Sequence, residues 1–473
     1  MKKTIFYLAA LTLVTVSCNK DFLVEEPKLS QSNELTLSKF EGLDNSTAGA
    51  YLRLQSASWY GCQYVLNGEL MAGNATNPKS LPGSGRYRTQ EPWSFTESAT
   101  WSTWALAYYT INAVNNVLAN LDGKTGSGVT QADINNLDAE CLFLRALCHF
   151  ELVNIYAQPY LKGANRAELG VPVMTKSSIG FPSRNTVGQV YDQVVEDLLK
   201  AESLMSDKYQ RKDVTDPRAT VTKPAIQALL SRVYLYMGEW QKSADYATLV
   251  INSGKYELAK KENYEAIWGK SIADEKGEII FEVYSSKKND SWDESGWTML
   301  PYITSKDGSA DVCATDDLYG LYEDGDVRKK LFVDNESDHF LMKYPGKPGS
   351  VDPKENNIPV LRLAEMYLNR AEAIYYGATV ENVSAQMDLD AITNARGASQ
   401  VSPGSETIFN ERRRELAFEG HIFFDYKRLG KSITRTDFRA TQNKDVAFPG
   451  LIWAMPIPKS ECDANSNMVQ NPY

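Results

Sequence analysis

The stretch 224–253 constrains the fold more than any other part of the chain. Pro224 opens a run in which Leu230, Tyr234 and Met237 fall at helical spacing, Gly238-Glu239-Trp240 makes a turn, and Ala244, Ala247, Val250 and Ile251 line a second helix. Small residues one turn apart let paired helices approach while the aromatics fill the groove, so the spacing predicts an antiparallel helical hairpin. The same period runs along 101–121 through Trp104, Tyr108, Ile111, Val114, Asn115 and Leu118, and along 138–156 through Leu142, Ala146, Phe150, Val153 and Ile155, stopping ahead of Pro159. Along 187–204 it is carried by Val187, Val190, Val194, Leu198 and Leu199, with Thr186 and Gln189 spaced as a capping box. A further hairpin is expected over 360–397, from Leu363, Met366, Tyr367 and Ala371 through Gly377 to Met387, Leu389 and Ile392. The expected class is all-α, built of helical hairpins at about 101–121, 138–156, 187–253 and 360–397, with minor β where Glu278 to Val283 reads as a short strand.

Two stretches break the helical pattern. Residues 57–97 and 284–360 are rich in Gly, Pro, Ser and Asn, yet they carry Trp59, Tyr60, Tyr64, Tyr87 and Trp93 in the first and Tyr284, Trp292, Trp297 and Tyr302 in the second. With 26 Tyr and 9 Trp against 3 His, the chain is aromatic-rich, and these loops are where its rings are not explained by helix packing. Sugars present apolar C–H faces that planar rings complement, while neighbouring polar side chains bond the hydroxyls. Trp292 and Trp297, in the polar run from Asn289 to Trp297, are therefore candidate ligand contacts, together with Trp59, Trp93, Asn74 and Arg86. Trp101, Trp104, Trp240 and Trp268 fit helix and turn packing and are assigned to the core.

Much chemistry is excluded. With 50 Lys+Arg against 60 Asp+Glu, a formal charge of −10 argues against nucleic acid as a partner. No HExxH, GxSxG, GxGxxG or CxxC pair occurs, and Gly430-Lys431-Ser432 lacks the first glycine of a P-loop because Asp425 stands there. His149, His339 and His421 have no visible partner set and read as structural. Asp316, Asp317, Glu323, Asp324 and Asp326 lack the oxygen-ligand spacing of a calcium loop and read as a solvated turn. Glu411 to Glu415, with Arg412, Arg413 and Arg414, reads as ion pairing that ties a helix to its neighbours. Cys62, Cys141, Cys148, Cys313 and Cys462 show no disulfide framework and read as core. No catalytic residue, metal or cofactor is expected.

The N-terminus reads as an export signal. Lys2 and Lys3 precede an apolar run, Ile5 to Val16, that as a helix rises only about 18 Å against a bilayer core of roughly 30 Å. It ends in Thr15-Val16-Ser17-Cys18, which resembles the lipobox of bacterial lipoproteins, with Thr15 departing from the usual aliphatic residue. The resemblance implies removal of residues 1–17 and acylation, including palmitate, at Cys18, so that lipid anchors the chain to a membrane.

The hairpin at 224–253 resembles a tetratricopeptide (TPR) unit, and longer motifs resemble the SusD/RagB family of nutrient-binding outer-membrane lipoproteins. The motifs are Ile408 to Gly430 (IFNERRRELAFEGHIFFDYKRLG), Val360 to Ala373 (VLRLAEMYLNRAEA), Met455-Pro-Ile-Pro458 and Gln470-Asn-Pro-Tyr473, with Asp21 to Pro27, Ala139 to Pro159, Arg184 to Leu204 and Thr222 to Leu258 in the family's order. The usual Gly near the terminus is missing, and Ile422 replaces a more polar residue. The resemblance implies one SusD-like domain over 18–473, an α-superhelical scaffold of TPR-like hairpins with a loop-rich ligand-binding region and the family signature at 408–473. It further implies a non-enzymatic, cell-surface protein at the outer membrane that captures glycan and delivers it to a SusC-like TonB-dependent transporter. A peptide-capturing relative on the same scaffold and a glycan hydrolase are the alternatives.

Overall fold

The computed structural model describes residues 36–473, apart from 82–83, 127, 213, 215, 270–276, 286–297, 347–354 and 437–441. Helices α1 (Phe40–Arg53) and α2 (Gln63–Ala72) precede a run of antiparallel helices: α3 (Thr103–Leu118), α4 (Gln131–Tyr156), α5 (Val187–Leu204), α6 (Lys223–Met237) and α7 (Trp240–Asn252). Short helices α8 (Ala266–Gly269), α9 (Leu300–Thr304) and α10 (Asp316–Tyr319) lead to α11 (Leu363–Tyr375), α12 (Ala385–Arg396), α13 (Ser405–Glu415), α14 (Ile422–Leu429) and α15 (Lys459–Ala464). Each long helix packs on the next, α3 on α4 through to α7, after which α7 packs on α11 and α11 on α12. This is the all-α, TPR-like scaffold that the hairpin pattern predicts.

Local chemistry explains where the helices start and stop. Thr186 and Gln189 form the expected capping box at α5. A second box, Thr130 with Asp133, starts α4 at Gln131 rather than 138, because its first turns are mostly polar and show no apolar period. Gly238 ends α6 with φ at +75°, and a Cβ there would meet Lys162 Cγ at 2.6 Å, so glycine is required on both counts.

Strands are few: β1 (Ala75–Thr76), β2 (Ile279–Val283), β3 (Cys313–Ala314), β4 (Phe332–Asn335), β5 (Asp338–Leu341), β6 (Ile358–Arg362), β7 (Ile433–Thr434) and β8 (Asp445–Val446). The expected strand is β2, which runs antiparallel to β6, while β1-β3-β5-β4 form a small sheet. That sheet joins the two loop-rich stretches, since β1 belongs to the first and β3 to β5 to the second. Within the first stretch the expected loop is interrupted by α2, whose residues are buried from Tyr64 to Ala72. Gly68 lets α2 approach α14 closely, where an added Cβ would lie 3.3 Å from Phe423 Cβ.

Arginine forks pin the helices to one another. Arg145 on α4 donates to Asp197 on α5 at 2.8 and 2.7 Å, Arg232 on α6 to Glu365 on α11 at 2.6 Å twice, and Arg370 on α11 to Asp388 on α12 at 2.9 and 2.6 Å. The block 411–415 is structural as expected: Arg412 pairs with Asp425 at 3.1 Å, Arg413 with Asp317 at 2.8 Å, and Arg414 with Glu411. Glu415 is the hub. Its fully buried carboxylate accepts from Arg362 at 2.8 Å, Arg396 at 2.8 Å and Arg328 at 2.9 Å. Burial alone would push this carboxyl up, but Arg396, Arg362 and Arg328 together hold it well below the usual carboxylate range.

Two stability predictions follow from these buried carboxyls. Glu415→Ala leaves buried guanidinia without their shared counter-charge and costs about 3–5 kcal/mol or more, measurable by urea unfolding; a loss under about 1 kcal/mol contradicts the hub. Burial pushes Glu151 up to about 8 and Glu69 up to about 7, against the opposing hydrogen bonds from Tyr60 and Trp59 and from Asn74 and the Gly420 amide. An unfolded Glu ionises near ~4.3, so the protonated native forms stabilise fully below that value and lose this contribution as pH rises through 7 to 8. Tm therefore falls on the alkaline side, and Glu151→Gln flattens the Tm–pH slope; an unchanged slope contradicts the assignment.

Candidate functional site

The joined loop stretches form a polar surface held from beneath by two buried aspartates. Asp338, 1% exposed, accepts from the Lys79 amide at 2.7 Å, from the Ser80 amide at 2.7 Å and from the Ser80 hydroxyl. Asp311, 2% exposed, accepts from the Ser84 amide and from its hydroxyl at 2.7 Å, and its backbone carbonyl accepts from Asn77 Nδ2 at 2.9 Å. A carboxylate buried against backbone amides has few alternative partners, so the backbone is tied down at Lys79, Ser80 and Ser84.

Above this clamp stand Arg86 and Tyr87. The Arg86 guanidinium lies 3.8 Å from Asp311 Oδ2 with its side chain 49% exposed, leaving donors directed at solvent. Tyr87 has φ at +61° and shares a 3.0 Å hydrogen bond between its hydroxyl and Cys62 Sγ. Burial pushes the Cys62 thiol up to about 12, so it stays protonated and is a packing residue rather than a nucleophile. Half-buried Tyr302 on α9 sits in the same turn as Asp311, whose amide donates to Ile303 O at 3.0 Å. The arrangement offers a half-exposed cation, partly exposed rings and hydroxyls. That is binding chemistry.

The structure separates the sequence candidates. Trp59 is fully buried and its indole N–H donates to Glu151; its ring stacks on Tyr60. Trp93, 4% exposed, donates to Met71 O at 3.0 Å and meets Trp453 and Phe423 edge-on. Asn74 is fully buried, donating to Glu69 at 2.8 Å and accepting from Arg413 Nε at 2.9 Å. These three are interior in this structure, because α2 passes through the core and carries its flanks inward. Of the six ligand candidates, Arg86 is the one placed at the surface, while Trp292 and Trp297, like Cys18, lie outside the described residues. Trp101, Trp104 and Trp268 are buried, and half-buried Trp240 stacks on Tyr376 at 4.8 Å.

The residues passed over by sequence reading are Asp311 and Asp338. Each is more than 220 positions from the segment it holds, and no local signal marks it. The histidines are structural. His149 Nδ1 faces Arg145 O at 3.0 Å while Nε2 accepts from the Met174 amide at 3.1 Å, and burial lowers its pKa to about 3. His339 stacks on Tyr319 at 3.7 Å, between Asp334 and Asp316. Among the described residues no three His, Cys, Asp or Glu side chains are grouped to hold a metal. Asp311→Ala releases Ser84 and Arg86, and amide exchange at residues 84–87 rises at least about tenfold while α4 stays protected; unchanged exchange contradicts the clamp.

Comparison with known proteins agrees with this architecture. Residues 21–235 match the SusD-like family described as "Starch-binding associating with outer membrane", and residues 336–473 match the SusD family. A SusD superfamily protein of Bacteroides thetaiotaomicron VPI-5482 is 31% identical, with a TM-score of 0.81 over 92% of this chain and 100% of that one. SusD-like protein P2 of Formosa agariphila is 24% identical across 100% of this chain and 99% of its own length. Surface glycan-binding protein A of Bacteroides thetaiotaomicron, solved in complex with laminarihexaose, shares the fold at 20% identity, with a TM-score of 0.75 over 92% of this chain and 100% of that one. The hairpin scaffold, the sequence motifs and the end-to-end match to a solved relative make this chain a member of the SusD superfamily.

Proposed function

We propose that the protein captures glycan at the outer surface of the cell and delivers it to a SusC-like TonB-dependent transporter, without cleaving it. The observation that carries this reading is that surface glycan-binding protein A, on the same fold, was solved holding laminarihexaose. The surface around Arg86 and Tyr87 suits such a ligand: an exposed guanidinium for hydroxyls beside partly exposed rings for C–H faces. Trp292 and Trp297 complete this platform in the proposal, and Trp59, Trp93 and Asn74 support it from within. A lipid on Cys18 tethers the protein, in keeping with the sequence before it; among the described residues no helix is long and apolar enough to cross a membrane.

Native affinity electrophoresis through laminarin and a panel of other polysaccharides tests the ligand. Retention by at least one glycan is expected, weakened about tenfold by Arg86→Ala and more by Trp292→Ala with Trp297→Ala. Absence of retention on every glycan, together with peptide binding, overturns the sugar assignment. New reducing ends released by pure protein overturn the non-enzymatic one. Cys18→Ala is expected to move the protein out of the membrane fraction, and recovery of the transporter with wild-type protein tests the partnership.

A further inference from the structure

The turn between α6 and α7 forms one wall of a pocket of about 180 Å³, and the loop after α4 and the ends of α11 and α14 form the others. Partly buried Leu161, Leu429, Trp240 and Tyr376 line it together with exposed Lys162. No Asp or Glu is among its lining residues. Arg428 also lines it, but its side chain is 3% exposed and is taken up by Glu372 at 2.5 and 2.7 Å and by Asp425 at 2.7 Å.

An unusual backbone delivers Lys162 to this place. Leu161, Lys162 and Gly163 have φ at +46°, +54° and +87°, a left-handed run that residues with a Cβ adopt only under constraint. The Gly163 amide donates to Tyr160 O at 3.0 Å, the Ala164 amide to Leu161 O at 3.0 Å, and Asn165 Nδ2 to Pro159 O at 2.8 Å, which holds the turn. The Lys162 stem lies against Gly238, and its Nζ is 5.1 Å from the centre of the Trp240 ring and 5.4 Å from that of Tyr376. Strain kept at a surface turn that positions a charge points to a use for that charge.

The ammonium has rings for neighbours but no counter-ion. Among the described residues no carboxylate pairs with it, while Lys242 is matched by Glu239 at 3.3 Å and Lys431 by Glu406. The Trp240 indole N–H and the Tyr376 hydroxyl likewise have no hydrogen-bond partner among the described residues. On a chain of formal charge −10, a pocket with a free ammonium and no acid selects its occupant by sign. The volume is below the roughly 300 Å³ of drug-sized pockets and suits one ring.

We propose that this pocket binds a small organic acid, one carboxylate carried on an apolar or aromatic ring, with the carboxylate at the Lys162 ammonium and the ring against Leu161, Leu429, Trp240 and Tyr376. Holding the ammonium over two rings lowers the side-chain entropy still to be lost on binding. The site rests on its own residues and not on the glycan reading of the Arg86 surface.

The test is calorimetry and ligand-observed NMR on the whole protein with benzoate and phenylacetate, against benzamide, methyl β-D-glucopyranoside and inorganic phosphate as controls. At least one of the two acids is expected to bind with a Kd on the order of 1 mM, more weakly at high salt, and to shift the Trp240 indole N–H signal. Benzamide, the glucoside and phosphate are expected to bind at least about fivefold more weakly at this pocket. Lys162→Gln keeps the stem on Gly238 and weakens the acid about fivefold or more with Tm little changed, whereas Lys162→Arg retains binding. Failure of both acids overturns the proposal, as does acid binding that Lys162→Gln leaves unchanged. Equal binding of benzamide or the glucoside removes the carboxylate from the assignment, and equal binding of phosphate removes the ring; either overturns it. Arg86→Ala binds the acids as wild type does, and Lys162→Gln is retained by glycan as wild type is, so each reading fails independently of the other.

Discussion

Three guanidinia converge on one carboxylate, and the rest of the molecule is arranged around that meeting. Arg328 comes from the turn before β4, Arg362 from the end of β6 and Arg396 from the end of α12, and all reach Glu415 at the end of α13. Glu278 bonds Arg362 and Arg396 in turn, while Glu419 takes Arg362 at 2.6 and 2.9 Å and Lys343 at 2.7 Å. Apolar side chains of the same volume would hold these segments at comparable or lower energy, but hydrophobic contact has no direction. Planar forks do have direction. The network sets the angle and depth at which the helical hairpins meet the strand-bearing half of the chain, and so the position of everything that half carries.

Legibility in the sequence followed the range of the interactions. Hairpins were readable because 3–4 spacing, the Thr186–Gln189 cap and Gly238 act within a few residues of one another. Helix α2 was hidden for the opposite reason. It is buried on every side, so it has no amphipathic period, and glycines at 61, 68 and 73 read as breakers. Gly68 is instead the point of close approach to Phe423. The aspartates beneath the Arg86 segment were illegible because their partners arrive from the other loop-rich stretch, through pairings such as Thr76 with Cys313. Asn74 and Arg413 illustrate the same limit: a loop asparagine and a helix arginine, 339 residues apart, turn out to be one buried hydrogen bond.

The aromatic content also divides differently from its distribution along the chain. Composition alone allows rings in loops to be exposed, but a loop attached to a buried helix inherits that helix's environment. Trp59, Tyr60, Tyr64, Trp93 and Trp101 join Phe423, Phe424 and Trp453 in a continuous aromatic interior. Arginine and lysine complete it, with Lys343 above Trp268 at 4.6 Å and Arg396 above Tyr264 at 4.3 Å. Much of the tyrosine and tryptophan among the described residues is therefore structural mass that accommodates buried cations, and the rings exposed there include Tyr109, Phe181, Tyr375 and Tyr473.

The two aspartates under Lys79 to Arg86 also bear on time. A backbone amide bonded to a buried carboxylate has less conformational freedom to lose when a ligand binds, and Lys79, Ser80 and Ser84 each have such a bond. A ligand meeting backbone tied down in this way would need less loop search, and differences between ligands would be expressed mainly in how fast they leave. A rim of this kind sorts its visitors by residence time. A ligand that matched such a rim would leave slowly, and one that did not would leave quickly.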